Sequence, residues 1–266
     1  MILSVAQKIG ERTTMTNAVN EMTERMLDDA PISAGMRVLD IGCGPGTVSL
    51  MLSRRVGDHG HVFAVDRDPQ MLEAARAQAR DAGFLNITFV EGGFDVVLPE
   101  HGTFDGAVGR RVLMYQPDAA HAVTQLARAV RPGGLVAFHE HDTIAVNDAP
   151  VRLPLHDQVR SWLREMLRKE EVNPHMGFSM HGALSAAGLK VECVRAEANV
   201  LTPTAEYPVA SIIRAVLPRL LKHGIVTETD ADVDTLDERL LAERKQNNAT
   251  CLWELVFCAW ARKPAR

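Results

Sequence analysis

At 266 residues, of which 46% are hydrophobic, the chain can bury one large core or a core with a sizeable insertion. Its net charge of −5 and dispersed basic residues leave no broad positive face, which argues against nucleic acid and for a small-molecule or localised peptide substrate. The 4 cysteines lack metal-ligand spacing, and neither a leader pattern nor an apolar run of about 18 residues occurs, so a cytoplasmic protein with reduced thiols, no metal and no membrane contact is expected.

From Thr16, the apolar positions Val19, Met22, Met26, Leu27 and Ala30 share one helical face that stops before Pro31. This N-terminal helical segment, within residues 1–35, is expected to cover the core or to act as a lid. Val38-Leu39-Asp40-Ile41 reads as a short buried strand, and Gly42-Cys43-Gly44-Pro45-Gly46 as a tight turn stripped of side chains, ahead of a helix from Thr47 to Val56. Such a turn aims helix N-terminal amides at a ligand that approaches the backbone closely. His61 to Asp66 reads as a second strand, ending in an acid about 20 residues past the last glycine, where a carboxylate meets ribose hydroxyls in doubly wound sheets. A helix with Met71, Leu72, Ala75 and Ala79 on one face follows, then a third strand from Ile87 to Val90 that leads into Glu91-Gly92-Gly93-Phe94-Asp95.

Phe104 to Gly109 reads as a fourth strand, followed by Arg110-Arg111 and a turn through Tyr115. The helix from Asp118 to Val130 keeps Ala122, Val123, Leu126 and Ala127 on one side. Arg131-Pro132-Gly133-Gly134 is expected to separate it from a fifth strand, Leu135 to His139, which runs out in His139-Glu140-His141-Asp142. Beyond Pro150, Leu155, Val159, Trp162, Met166 and Leu167 make an apolar helical stripe. Asn173 to Phe178 reads as a loop before a helix capped by Ser179, and Gly188 to Val194 as a sixth strand. The excursion from about Val200 to Thr250 holds one helix that Pro218 should end or kink and a second around Val233, Leu236 and Leu240. Leu252 to Ala261 closes the sheet. The fold class is therefore α/β: a seven-stranded, mostly parallel, doubly wound sheet with an antiparallel last strand and a helical cap insertion. A single domain, 1–266, is expected, with a core at 36–145 and helical pieces at 150–180 and 200–250 that form a substrate cap or a homodimer surface.

The G-x-G-x-G spacing of Gly42, Gly44 and Gly46, with Asp40 just upstream, differs from the G-x-G-x-x-G of dinucleotide sites. It resembles motif I of the class I S-adenosylmethionine-dependent methyltransferases. The acid Asp66, the Phe104-Asp105 strand with its Leu-Met-Tyr-Gln-Pro-Asp turn, and the Arg-Pro-Gly-Gly strand follow in that family's order, and the turn resembles its small-molecule branch. The Asn/Asp-Pro-Pro-Tyr/Phe signature of the amide methylases is absent. The resemblance implies S-adenosylmethionine as cofactor. It implies Asp40 on the cofactor ammonium, directly or through water, and room beside Gly42, Cys43, Gly44 and Gly46. Asp66, with Arg67 next to it, would hold the ribose, Met71, Gly93 and Phe94 would surround the adenine, and Arg110 would stand at the rim. Gly93 occupies the place where the family usually has an acid, so Asp95 or the backbone around Phe94 is expected to take over that contact.

A sulfonium is already an activated electrophile, so alignment supplies much of the rate and a base matters mainly for a hydroxyl or an acidic carbon. His139 and His141, alternate residues at the strand's end, are the candidate catalytic bases. Tyr115 and His175 are candidate substrate-pocket residues, with His181 behind them. The plain structural alternative for all of these is a capping or lining role, and a metal on His139 and His141 lacks a third ligand. The expected function is methyl transfer to oxygen, nitrogen or carbon of a small molecule. Three rivals stand beside it: a nicotinamide oxidoreductase, which lacks its glycine spacing; a methyltransferase-fold protein that binds the cofactor but promotes a rearrangement or serves as a scaffold; and a nucleic-acid methylase, which predicts a basic groove.

Overall fold

The computed structural model describes residues 18–95, 103–142 and 150–265; residues 1–17, Thr16 among them, lie outside that range. In its described part helix α1 covers 18–29, with Met22, Met26 and Leu27 buried. The chain then alternates: β1 (Arg37–Ile41), α2 (Thr47–Val56), β2 (His61–Asp66), α3 (Pro69–Asp81), β3 (Ile87–Glu91), β4 (Phe104–Arg110), α4 (Ala119–Ala129) and β5 (Val130–Asp142). It continues through α5 (Pro154–Lys169), α6 (Met176–Ala186), β6 (Lys190–Leu201), α7 (Val209–Lys222), α8 (Glu228–Ala231), α9 (Leu236–Gln246) and β7 (Cys251–Arg262).

The chain divides into two compact units. The first, whose described residues are 23–95, 103–141, 175–196 and 257–265, carries most of the sheet, whose strand order is β3-β2-β1-β4-β5-β7-β6. Parallel registers join β3 to β2, β2 to β1, β1 to β4 and β4 to β5. β7 runs antiparallel to β5, and just beyond its end the Gly133 amide donates to the Lys263 carbonyl and the Lys263 amide to the Gly134 carbonyl, both at 2.9 Å. The α/β class and the seven strands are as the sequence indicates. Helices cover both faces, so β1 and β4 read as continuous apolar runs with Val38, Ala107 and Val108 fully buried. Strand order reverses between β1 and β4, which places the loops after those two strands at the switch point where open α/β sheets bind ligands.

Three boundaries differ from the sequence reading. Strand β5 begins at Val130, which pairs with Phe104 of β4, and Gly133 and Gly134 bond Lys263 within the strand instead of breaking it. Helix α6 begins at Met176, and Ser179 lies inside it, donating its hydroxyl to the His175 carbonyl at 3.2 Å. Packing sets that start: a β-carbon on Gly177 would come within 2.3 Å of the Phe257 ring, so only a bare α-carbon lets the helix lie there. Pro218 neither ends nor splits α7, since Ile213 before it and Leu220 after it are both fully buried on the same helix.

The second unit, whose described residues include 150–174 and 197–256, holds α5, α7, α8 and α9. Its polar centre is His156, fully buried, with Nδ1 2.7 Å from Glu243 Oε2 and Nε2 2.8 Å from Arg244 Nη1. The Glu243 carboxylate also accepts the amides of Leu155 and His156, while Arg244 donates to the Thr202 and Ala205 carbonyls. Since arginine can only donate, His156 accepts at Nε2 and donates at Nδ1, a neutral tautomer. Burial holds its pKa below the ordinary value of 6.5, against the pull of Glu243.

Candidate functional site

The site grows from the turn after β1. Gly42, Gly44 and Gly46 all have positive φ, at 67°, 52° and 92°. At Gly42 the need is also steric: an added β-carbon would fall 2.5 Å from Val112 Cγ2. At Gly44 nothing lies within 4 Å of that position, so its backbone faces open space. The turn is tied down by the amides of Gly42 and Cys43, which both donate to the Val65 carbonyl at 2.8 and 3.0 Å. Cys43 turns its side chain into the core against Ala64 and Leu72, and burial pushes its thiol pKa far up, which leaves only its backbone for a ligand.

Asp66 closes β2 and fastens the turn from the side. Its Oδ2 accepts the Gly44 amide at 2.8 Å and its Oδ1 accepts the Asp68 amide at 2.9 Å. In the parallel register Asp66 lies opposite Glu91, so two carboxylates end adjacent strands together. Asp40 is different: it is buried beneath the turn, its Oδ2 accepting the Ser49 hydroxyl at 2.6 Å. Burial raises its pKa to about 6, against the opposing effects of Ser49 and Arg110. Arg110 is itself depressed to about 10 by burial and by its neighbour Arg111.

After β4 the chain makes a second turn on the other side of the switch point. Arg111 takes the left-handed conformation, φ 54°, and a short 3-10 segment, Leu113–Tyr115, follows. Its wall is anchored on the end of β5: the Arg111 amide donates to the His139 carbonyl at 2.8 Å, and Glu140 Oε1 accepts the amides of Val112 and Leu113 at 2.8 and 2.7 Å. His139, cross-strand from Arg110, is fully buried with Nδ1 3.0 Å from the Thr23 hydroxyl, which also receives Arg110 Nη1 at 3.2 Å.

Between the two turns opens a cleft of about 1000 Å³. Of the residues singled out by sequence, Gly42, Asp66, Arg67, Met71, Gly93, Phe94 and Tyr115 line it together. Asp40, Cys43, Gly44, Gly46, Arg110, His139, His141 and His175 do not. For His139 the reason is its burial against Thr23, while His175 sits exposed at the start of α6. Arg111 lines the cleft too, and so do Asp118, His121 and Gln125, which sequence reasoning passed over. The last three fall on one face of α4, at i, i+3 and i+7, with His121 Nε2 3.1 Å from Gln125 Nε2. The signal for them was the polar side of a helix from which only the apolar side was read. Five carboxylates line the cleft, at Asp66, Asp68, Glu91, Asp95 and Asp118, against the guanidinium groups of Arg67 and Arg111. Met71 and Tyr115 stay 38% and 42% exposed there, apolar surface held open where a ligand would cover it. Among the described residues no three His, Cys, Asp or Glu side chains gather as a metal site, and no helix is long and apolar enough to cross a membrane.

The family model for a methyltransferase domain matches residues 32–249, most of the chain. The chain belongs to the class I S-adenosylmethionine-dependent methyltransferases. Within that family it is 34% identical over 119 residues to aklanonic acid methyltransferase DauC of Streptomyces sp. (strain C5), covering 44% of this chain and 53% of that one. It is 32% identical over 114 residues to demethylmenaquinone methyltransferase of Lactococcus lactis, covering 42% and 45%. The chain thus spans about half the length of the curated relatives it matches. The YcgJ protein of Bacillus subtilis has the same fold, with a TM-score of 0.59 at 18% identity over 92% of this chain and 99% of that one.

Proposed function

We propose that this methyltransferase binds S-adenosylmethionine in the cleft between the two turns and transfers its methyl group to a small-molecule acceptor. The observation that carries the reading is the convergence of Asp66, Met71 and Phe94 on one cleft beside a glycine turn at the sheet's switch point. The excess of carboxylates suits a ligand bearing a sulfonium and an ammonium better than one bearing phosphates. Both enzymes named above act on small molecules by their names, and the same class of acceptor is assigned here.

When bound, the cofactor supplies a methyl group already activated on sulfur. The chain's own residues bind and align. Asp66 takes the ribose hydroxyls with the lone pairs left over from Gly44 and Asp68, and Met71 and Phe94 flank the base with Gly93 and Arg67 beside them. The glycine turn lets the ligand lie on bare backbone, while Asp40 adds negative charge from below, through Ser49 and not by contact. Arg110 balances that charge and helps to hold α1 through Thr23. His139 is sealed behind Thr23 and orients, while His141, half-buried at the end of β5, is not among the residues that line the cleft, so alignment of acceptor and methyl carries the reaction and neither histidine is given the proton. The test is calorimetry with S-adenosylhomocysteine followed by incubation with methyl-labelled cofactor and candidate acceptors. Micromolar uptake and label transfer are expected; no uptake by the wild-type chain overturns the reading.

A further inference from the structure

We propose that Glu140 is a positioning residue for the cofactor: its side chain fixes the turn at 111–115 against the glycine turn and so sets the spacing between the two walls of the cleft. This rests on the reading of that cleft as the cofactor site.

Two consecutive residues of β5 hold three consecutive amides: the His139 carbonyl takes Arg111, and one oxygen of Glu140 takes Val112 and Leu113. The backbone is shaped for this. Arg111 at φ 54° is followed by Val112 at φ −125° and ψ −34°, and the change in sign of φ between neighbours lets the next two N–H groups, of Val112 and Leu113, meet at one oxygen, a concavity that receives an anion. Here the anion is a side chain of the protein. Glu140 is fully buried and does not line the cleft, so no ligand recruits it. Its Oε2 has no hydrogen-bond partner among the described residues. Burying a carboxylate that spends one oxygen on two amides is a poor device for stability alone. What it secures is the placement of Val112, whose methyl occupies the space next to Gly42, and of Arg111 and Tyr115, which line the cleft. Burial raises the Glu140 pKa to about 7, opposed by the amides it accepts and by the Arg111 charge.

The experiment compares wild type with E140Q, E140D and E140A. Glutamine keeps an acceptor at the same reach and loses the charge, whereas aspartate keeps the charge and falls one methylene short. Calorimetry with S-adenosylhomocysteine and the KM for S-adenosylmethionine are expected to worsen about tenfold in E140A and E140D, with E140Q within about threefold of wild type and kcat at saturating cofactor changed less than KM. Hydrogen exchange of the Val112 and Leu113 amides should speed up in E140A and stay slow in E140Q. Folded E140A or E140D with wild-type affinity overturns the proposal, as does E140Q losing as much as E140A. Should wild type take up no S-adenosylhomocysteine, the cofactor reading itself fails and this proposal goes with it, an outcome visible before any variant is made.

Discussion

Val112 fills the space that a side chain on Gly42 would need: its Cγ2 lies 2.5 Å from where a β-carbon at residue 42 would stand. The two residues belong to turns on opposite sides of the strand-order reversal, so this contact joins the walls of the cleft. Gly42→Ala therefore meets both a left-handed backbone at φ 67° and a filled space, and should destabilise by about 3 kcal/mol. Gly44→Ala shares the backbone penalty without the clash and should cost about 1 kcal/mol. Urea unfolding of both variants checks the difference; equal losses would mean that Val112 moves aside freely.

Asp66 serves the turn and the ligand at once, and substitutions can separate these tasks. Asp66→Asn keeps an acceptor for one of the two amides at 2.8 and 2.9 Å but removes the charge, so S-adenosylhomocysteine affinity should fall about 10-fold to 100-fold while the melting temperature moves little. Asp66→Ala should lose the affinity and several degrees of stability besides. Calorimetry beside a thermal melt distinguishes the two.

Two buried acids tilt the pH dependence of stability in an unusual direction. Asp40 is raised from 3.8 to about 6 and Glu140 from 4.5 to about 7, so the folded chain holds protons that the unfolded chain releases. Their contribution is complete below the unfolded values and is lost as pH rises through the folded ones, each worth about 3 kcal/mol. Wild type measured against E140Q by urea unfolding should lose about that much between about pH 4.5 and pH 8. A flat difference would count against the raised acid.

His156 acts in the opposite sense within the helical unit. Its folded pKa lies below 6.5, so its contribution is complete above that value and declines as pH falls, because burial disfavours the charged ring and a proton on Nε2 would also face Arg244 Nη1 at 2.8 Å. Amide exchange at the start of α5 should accelerate between about pH 7.5 and pH 5.5, and His156→Gln should remove that acceleration. Glu243→Ala, which strips the Leu155 and His156 amides of their acceptor, should destabilise by about 3 kcal/mol in a denaturant melt.

The features visible in the sequence were those set by local chemistry. A glycine triplet after an apolar strand, an acid ending the next strand and the alternating order of β and α elements depend on neighbours a few residues away, and these the structure keeps, with boundaries moved at β5 and α6. The misses depend on distant residues. His139 looked like a base because strand alternation cannot reveal Thr23, 116 residues earlier, covering it. Glu140 beside it drew no role from the sequence, because its role comes from amides at 112 and 113. The early start of α6 follows from the ring of Phe257, and the buried trio at His156 from a helix 87 residues away. Asp118, His121 and Gln125 could have been found locally, as the polar face of α4 beside a cleft-forming turn.

Arg111 shows where use outranks robustness. A residue with a β-carbon held at φ 54° costs about 1–2 kcal/mol that glycine would recover, yet the chain keeps a long cationic side chain there, over a hollow where carboxylates outnumber guanidinium groups. A laboratory selection for heat resistance alone should drift toward glycine at 111, and the hardier descendants would handle their cofactor worse.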